Sequence, residues 1–248
     1  MFDWLYFHAT HFKKHPLDSH YEPKQAITKR YFVSHPSNQK LAVIFPNWHP
    51  SGKIYKVLRK RLHRRGWTVL YYEFHSQILM ANEQLVIRSM QHIQKTVAAE
   101  LCELSDKNRY RNIHLIGLSL GNVPLTMVSD NFSDFSGATL VVPGDDLAVD
   151  TWHSNVTQDI RKSFEDNHVG ITKLDTDWKN EAPRDYVRNF TNKPVTIFMS
   201  LNDKVIRTRY QRKMVELITK SRARVDLKTS RLGHVLTIVR FCLAGPLP

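Results

Sequence analysis

The sequence predicts an α/β fold in which helices cover both faces of a mainly parallel central sheet, with a mostly helical cap inserted into it. From residue 28 onward, short apolar runs alternate with segments of helical periodicity, and this strand–helix order is typical of parallel sheets. Residues 146–190 break the alternation, because they are rich in polar side chains and lack strong strand signals. We therefore predict an N-terminal extension over 1–27, a core over 28–145 and 191–248, and a cap over 146–190.

The predicted strands are short apolar or β-branched runs, several of which end in proline or glycine. In chain order they cover residues 28–34 at a sheet edge, 41–45, 67–72, 112–118, 138–142, 194–200 and, more weakly, 224–229. Apolar side chains at helical spacing predict the helices between them, over 53–65, 82–104, 120–128, 205–220 and 235–243. Reactive groups in such a fold belong at the carboxyl ends of the strands.

The composition is that of an ordinary globular protein. Of the 248 residues 42% are apolar, which suffices for a sizeable core. No apolar run is long enough to span a membrane, and the N-terminus lacks the basic start and clean apolar stretch of a secretory signal. Neither Cys102 nor Cys242 has a ligand-like spacing, so we predict no disulfide framework and no zinc site. We expect a cytoplasmic location.

The chain carries a net charge of +13 and contains two basic clusters. The first lies on the predicted helix 53–65, which contains no acidic residue: Lys53, Lys56, Arg59, Lys60, Arg61, Arg64 and Arg65. The second follows the sixth strand: Lys204, Arg207, Arg209, Arg212 and Lys213. Both are either solvated helix faces or surfaces that attract anionic membranes or anionic substrates. Without a recognition module, charge gives only non-specific nucleic-acid binding, so we predict no specific nucleic-acid partner.

Four histidines crowd the N-terminus, at His8, His11, His15 and His20. Zinc sites combine histidine with cysteine or carboxylate ligands, and no such partners recur here at regular spacing. We predict a segment that is loosely held or covers a sheet edge, and no metal site.

Residues 117–121 form a G-x-S-x-G sequence centred on Ser119, between an apolar strand and a helix. A nucleophile elbow requires this context, because its tight turn holds the serine in a strained conformation at the start of a helix. Gly117 and Gly121 fit the elbow, since a Cβ at either position would collide with the closely packed strand and helix. The helix N-terminus also directs its amides and positive dipole end at the reacting centre.

The motif resembles the nucleophile elbow of the α/β-hydrolase family, in which the serine is followed along the chain by an acid and then a histidine. Here Asp203 directly follows the strand 194–200, and His234 follows the next helix and strand. The resemblance covers roughly residues 28–245. It implies a serine hydrolase in which Ser119 is the nucleophile, His234 the general base and Asp203 the group that orients the imidazole.

The resemblance also implies an oxyanion hole built from two backbone N–H groups. One belongs to Leu120, and the other comes from the loop after the strand 41–45. Pro46 has no N–H, so we choose Trp48, with Asn47 second. The loop has Pro46-Asn47 where many relatives have His-Gly, and Asn122 replaces a frequent glycine after the motif. Pro46-Asn47 implies a differently shaped oxyanion loop. Asn122 implies a different packing between the strand and the helix.

Several alternatives remain open at this stage. Asp203 also suits a helix N-cap, and Asp145 or Asp146 is the rival acid. The predicted reaction is cleavage of a small-molecule carboxylic ester, thioester or amide through an acyl-enzyme, without cofactor or metal. The same groups serve an acyltransferase or a lyase, and a non-catalytic binding protein could keep the fold. We expect the substrate pocket, for a small or medium apolar acyl group, to include Asn47, Trp152 and Trp178.

Overall fold

A computed structural model of the chain describes residues 21–35, 39–48, 52–80, 82–106 and 110–248. Within these residues the backbone forms seven strands: β1 (Ile27–Val33), β2 (Lys40–Phe45), β3 (Thr68–Phe74), β4 (Asn112–Leu118), β5 (Gly137–Val141), β6 (Pro194–Ser200) and β7 (Arg224–Ser230). They form one sheet in the order β1-β3-β2-β4-β5-β6-β7. Only β1 is antiparallel to its neighbour, β3, so the sheet is mainly parallel as predicted.

Helices connect the strands and cover both faces of the sheet. They are α1 (Gly52–Arg64), α2 (Glu83–Asp106), α3 (Asn122–Asn131), α4 (Leu147–His153), α5 (Gln158–Asp166), α6 (Ile171–Asp177), α7 (Thr208–Lys220) and α8 (His234–Ala244). Successive β2 side chains alternate between two cores, because strand side chains point to opposite faces. Leu41 and Val43 join the core that packs under α2, α3 and α7, whereas Ala42 and Ile44 join the core under α1 and α8.

The chain between β5 and β6 is helical, with α4, α5 and α6 followed by two 3-10 segments, Lys179–Glu181 and Pro183–Phe190. Its interior is apolar. Trp178 and Phe164 pack edge to face with ring centroids 6.0 Å apart, and Leu174 is completely buried. The Trp178 indole N–H donates to the Glu83 carbonyl at 3.2 Å, which ties this segment to the start of α2.

Two helices begin later than the sequence predicts. The helix expected from residue 205 begins at Thr208, because the preceding residues form turns around Asp203. The helix expected from residue 120 begins at Asn122, after a short 3-10 turn over Ser119–Gly121. Most of the predicted N-terminal extension, including all four of its histidines, lies outside the described residues. Its last part packs on the core, where the Tyr21 hydroxyl is 2.8 Å from the Ser89 hydroxyl.

Candidate active site

Ser119 stands at the carboxyl end of the central strand β4, in a backbone conformation that non-glycine residues rarely adopt. Its φ is +53°, in the left-handed region, and the surrounding packing holds it there. A methyl group added to Gly117 would lie 2.7 Å from the Asn122 Oδ1 atom, and one added to Gly121 would overlap the Phe45 backbone carbonyl. The two glycines therefore let strand, helix and neighbouring loop close tightly around the serine.

His234 is the first residue of α8 and lies buried beside Ser119. Its Nε2 atom is 2.8 Å from the Ser119 hydroxyl oxygen, and its Nδ1 atom is 2.7 Å from Asp203 Oδ2. An ionised carboxylate can only accept hydrogen bonds, so the imidazole proton belongs on Nδ1. Nε2 is then left with a lone pair that accepts the hydrogen bond donated by the Ser119 hydroxyl.

Asp203 accepts four hydrogen bonds, two on each carboxylate oxygen. Its Oδ1 atom accepts the backbone N–H groups of Val205 and Ile206 at 2.8 and 3.0 Å. Its Oδ2 atom accepts His234 Nδ1–H and the Gln211 side-chain amide, the latter at 2.8 Å. The Oδ1 bonds close the turn that precedes α7, whose N-cap residue is Arg207, so Asp203 is not the N-cap of that helix. The Oδ2 atom faces the histidine.

Gln211, on the first turn of α7, was not singled out in the sequence. It is completely buried, and its Nε2 donates to both Asp203 Oδ2 and the Ile206 carbonyl at 2.8 Å. Its Oε1 accepts the backbone N–H of Ser200 at 3.0 Å. The side chain joins the end of β6 to the carboxylate that holds the histidine. The one signal in the sequence is a polar residue on the inward face of an amphipathic helix.

The rival acids Asp145 and Asp146 are buried near the site but have other partners. Asp146 accepts the Val149 backbone N–H at 3.1 Å as the N-cap of α4, and it also pairs with Arg184. Asp145 forms an ion pair of 2.7 Å with Lys213. Burial raises the pKa of Asp150, and the neighbouring carboxylates of Asp145 and Asp146 raise it further.

The loop after β2 lies directly against the elbow, because the Phe45 and Pro46 carbonyls face Gly121. Leu120 occupies the second position of the 3-10 turn, where backbone N–H groups have no partner within the helix. The Asn47 backbone N–H donates to the Tyr55 hydroxyl at 3.0 Å. This bond already occupies the N–H group of Asn47, the second-choice oxyanion donor.

Comparisons with known proteins identify the architecture. No protein-family model matches the sequence, and no curated protein sequence matches it either. Among solved structures, Pyrococcus horikoshii acylaminoacyl peptidase superimposes with a TM-score of 0.62 at 11% identity, over 87% of this chain and 36% of that one. A puromycin-hydrolyzing peptidase of Mycobacterium tuberculosis superimposes with a TM-score of 0.62 at 13% identity, over 86% of this chain and 36% of that one. An esterase of Pyrococcus furiosus superimposes with a TM-score of 0.61 at 14% identity, over 86% of this chain and 81% of that one.

The chain has the α/β-hydrolase fold. It spans about a third of the length of the two peptidases and most of the esterase. The prediction of this fold from the order of strands and helices and from the residues around Ser119 is therefore confirmed.

Asn122 shows how this α/β-hydrolase fold accommodates a departure from its usual elbow. The side-chain Nδ2 donates to the Ser119 carbonyl at 2.8 Å and to the Val141 carbonyl at 3.0 Å. The asparagine thereby connects the elbow to the end of the next strand, β5. A glycine at this position could not form either bond, so the substitution adds a contact that supports the strained serine.

The two tryptophans of the expected pocket lie in different environments. Trp178 is completely buried and packs within the segment between β5 and β6, so it contributes to the interior. Trp152, near the end of α4, is half-buried against the core under α2, α3 and α7. Its place in a pocket wall stays a prediction.

Two other features are absent from the part of the chain that the structure describes. No group of three or more histidine, cysteine or acidic side chains there is arranged to hold a metal ion. None of the helices there combines the length and apolarity needed to cross a membrane.

Proposed function

We propose that the protein is a serine hydrolase that cleaves a carboxylic ester through an acyl-enzyme, with Ser119, His234 and Asp203 as its catalytic triad. The observation that carries the proposal is the unbroken hydrogen-bond chain from Asp203 through His234 to Ser119 at a strained elbow. The comparisons support the class, since the names of the similar structures include an esterase and two peptidases.

In the first step the Ser119 oxygen attacks the ester carbonyl carbon while His234 Nε2 takes the hydroxyl proton. Asp203 stabilises the resulting imidazolium through its bond to Nδ1–H and does not itself become protonated. When the tetrahedral intermediate collapses, the ester C–O bond breaks and His234 gives its proton to the departing alcohol. Water then attacks the acyl-enzyme by the same route, which releases the acid and restores the serine.

The developing negative charge on the carbonyl oxygen needs donors that are already in position. We assign the backbone N–H groups of Leu120 and Trp48 to this oxyanion hole. The contact of Gly121 with the loop after β2 supports the assignment, because it brings that loop directly beside the turn that contains Leu120. Loss of one such donor costs about 100- to 1000-fold in turnover.

The substrate is a small-molecule ester, with thioesters and amides open to the same chemistry. We propose that residues 146–190 act as a cap over the acyl or alcohol pocket, with Trp152 on its wall. We also propose that α1 is attracted to anionic membrane surfaces. The helix contains no acidic residue, and four of its cations are exposed, as is Arg65 directly after it: Lys53, Lys56, Lys60 and Arg64.

A fluorophosphonate probe tests the proposed nucleophile without requiring the natural substrate. We expect wild type to be labelled, Ser119→Ala to be unlabelled and His234→Ala to be labelled much more slowly. Ser129→Ala is the matched control, because Ser129 is also buried, on α3, but donates to the Thr126 carbonyl. A folded wild type that resists the probe would instead favour a non-catalytic binding protein.

Product analysis with simple acyl esters then separates the remaining alternatives on the same triad. Release of free acid at a rate independent of added alcohol is expected for a hydrolase. Accumulation of a new ester when a second alcohol is added would identify an acyltransferase.

A further inference from the structure

A cleft of about 540 Å³ opens beside the loop that carries Asp203. Its walls come from two parts of the chain, the end of α4 with the start of α5, and the residues leading into α7. We call it the basic cleft, because its charged lining is largely cationic: His153, Arg161, Asp203, Lys204, Arg207 and Arg209.

The positive charges of the basic cleft are poorly neutralised by protein. No carboxylate among the described residues lies within ion-pair distance of Lys204, Arg207 or Arg209. The one acid in the lining, Asp203, has a completely buried side chain that is committed to His234. Arg161 has only Glu165 nearby, at 3.6 Å, and its buried Nε atom lacks a hydrogen-bond partner.

The position of these cations adds a second source of unneutralised positive charge. Lys204, Arg207 and Arg209 cluster at the N-terminal end of α7, where the helix dipole is positive and where acids, not bases, are stabilising. The first turn of α7 contains no acidic residue. Burial lowers the pKa of His153 in the same cleft, and nearby Arg207 and Arg209 lower it further. The protein therefore keeps an unpaired positive field here at a cost to its own stability.

We propose that the basic cleft binds a phosphate group. A guanidinium group can donate two parallel hydrogen bonds to two oxygens of one phosphate. The cleft supplies three guanidinium groups and one ammonium group. A phosphate monoester carries about −1.5 to −2 charges at neutral pH, which balances this lining better than a single carboxylate would. The phosphate is either part of the ester substrate or a free phosphate ion, and only the first case rests on the proposed hydrolase function.

Titration calorimetry with inorganic phosphate at low ionic strength tests the site without any enzymatic assay. Relative to wild type, the double variant Lys204→Gln/Arg207→Gln should bind phosphate at least about tenfold more weakly, because it loses two charge-assisted contacts. Lys56→Gln/Lys60→Gln removes the same charge from exposed positions on α1 and should bind like wild type. All four residues are exposed, so thermal unfolding should show both double variants folded.

Two results would overturn the proposal: no measurable phosphate binding by wild type, or equal losses in the two double variants. Equal losses of affinity would mean that phosphate binding depends only on the net charge of the molecule.

A second measurement identifies the source of the phosphate. Two esters with the same acyl group are compared, one with a phosphorylated alcohol and one with a neutral alcohol of similar size. If the phosphate belongs to the substrate, wild type prefers the phosphorylated ester in kcat/KM, and the preference falls about tenfold in the cleft variant but not in the α1 control. If phosphate binds calorimetrically and wild type shows no preference, the ligand is free phosphate. If neither ester is cleaved while phosphate still binds, the hydrolase proposal fails and the phosphate site stands.

Discussion

At the scale of single residues, the candidate site depends on hydrogen bonds that converge on one carboxylate. Asp203 could rotate if only His234 held it, but two backbone N–H groups fix one oxygen and Gln211 fixes the other. The imidazole therefore meets a carboxylate of defined orientation, which is what the proposed general base needs. We regard Gln211 as a positioning residue, since its contacts are with Asp203 and the backbone.

Replacing Gln211 should impair turnover more than substrate binding. In Gln211→Leu the Asp203 Oδ2 atom loses one of its two donors, so we expect kcat on an ester to fall about 10- to 100-fold while KM stays nearly constant. Gln94→Leu is the control, because Gln94 also donates to a backbone carbonyl, that of Met127, at 2.9 Å. An unchanged kcat in a variant that melts like wild type would contradict the positioning role.

A second residue-scale prediction concerns His114, which is buried on β4 with its Nε2 atom 2.9 Å from the Thr139 hydroxyl. Burial lowers its pKa from 6.5 to about 4, so the folded protein favours the neutral ring. The contribution of this histidine to the free energy of unfolding is complete above pH 6.5. It is lost as the pH falls from 6.5 to about 4, because only the unfolded chain then binds the proton.

The loss amounts to about 3 kcal/mol over that interval, from about 1.4 kcal/mol per pH unit. Urea unfolding of wild type and His114→Gln at several pH values measures it. We expect the variant to show a flatter pH dependence of the free energy of unfolding. Parallel curves for wild type and His114→Gln would rule out this assignment.

At the scale of secondary-structure elements, three parts of the chain meet at the turn around Ser119. Ser119 directly follows β4, α3 begins three residues later at Asn122, and the loop after β2 contacts the turn at Gly121. The side chain of Asn122 adds a bridge from the elbow to the end of β5. The geometry of the serine is therefore a property of the packing of these elements and not of the turn alone.

The variant Gly121→Ala tests this packing. Its methyl group would collide with the backbone carbonyls of Phe45 and Pro46, and backbone atoms cannot move aside as a flexible side chain can. We expect a loss of more than about 3 kcal/mol in the free energy of unfolding, or failure to fold. Gly170→Ala is the matched control, because no atom lies within 4 Å of its added methyl group. Similar free energies of unfolding for the two variants would show that the loop after β2 can move aside at little cost.

At the scale of the whole molecule, the net charge of +13 is divided among surfaces with different roles. Some cations are structural. Arg61 donates to the carbonyls of Phe241, Cys242 and Gly245 and so caps the end of α8, and Arg59 lies over the rings of Tyr31 and Tyr71. The remaining cations of α1 are exposed. At the basic cleft, no carboxylate among the described residues pairs with Lys204, Arg207 or Arg209. These are the two regions that we propose attract anions.

Vesicle sedimentation tests the first of these regions. We expect wild type to bind vesicles rich in anionic lipid and to dissociate as salt is raised, since each lysine near such a surface contributes about 1 kcal/mol. The triple variant Lys53→Gln/Lys56→Gln/Lys60→Gln should partition at least about tenfold less. Its control removes three exposed lysines elsewhere, Lys162, Lys179 and Lys220. Equal partitioning of the two triple variants would argue against a specific role for α1.

The sequence by itself determined the fold class and the residues proposed for the triad. Both depend on local pattern and on chain order. Apolar periodicity identifies strands and helices, and a glycine–serine–glycine turn between them identifies the elbow around Ser119. The chain order serine, acid, histidine that the resemblance to α/β-hydrolases implies then selects Asp203 and His234. Both follow strands, whose carboxyl ends meet at one edge of a parallel sheet. None of these inferences requires knowledge of how two helices pack.

The tertiary structure alone decided which side chains meet across that edge. Gln211 reaches Asp203, and Lys213 and Arg184 pair with Asp145 and Asp146. Trp178 turns into the interior, and cations from two distant segments line one cleft. Periodicity shows which face of a helix is buried, but the partner on that face depends on helix position and rotation, which are set by packing throughout the core.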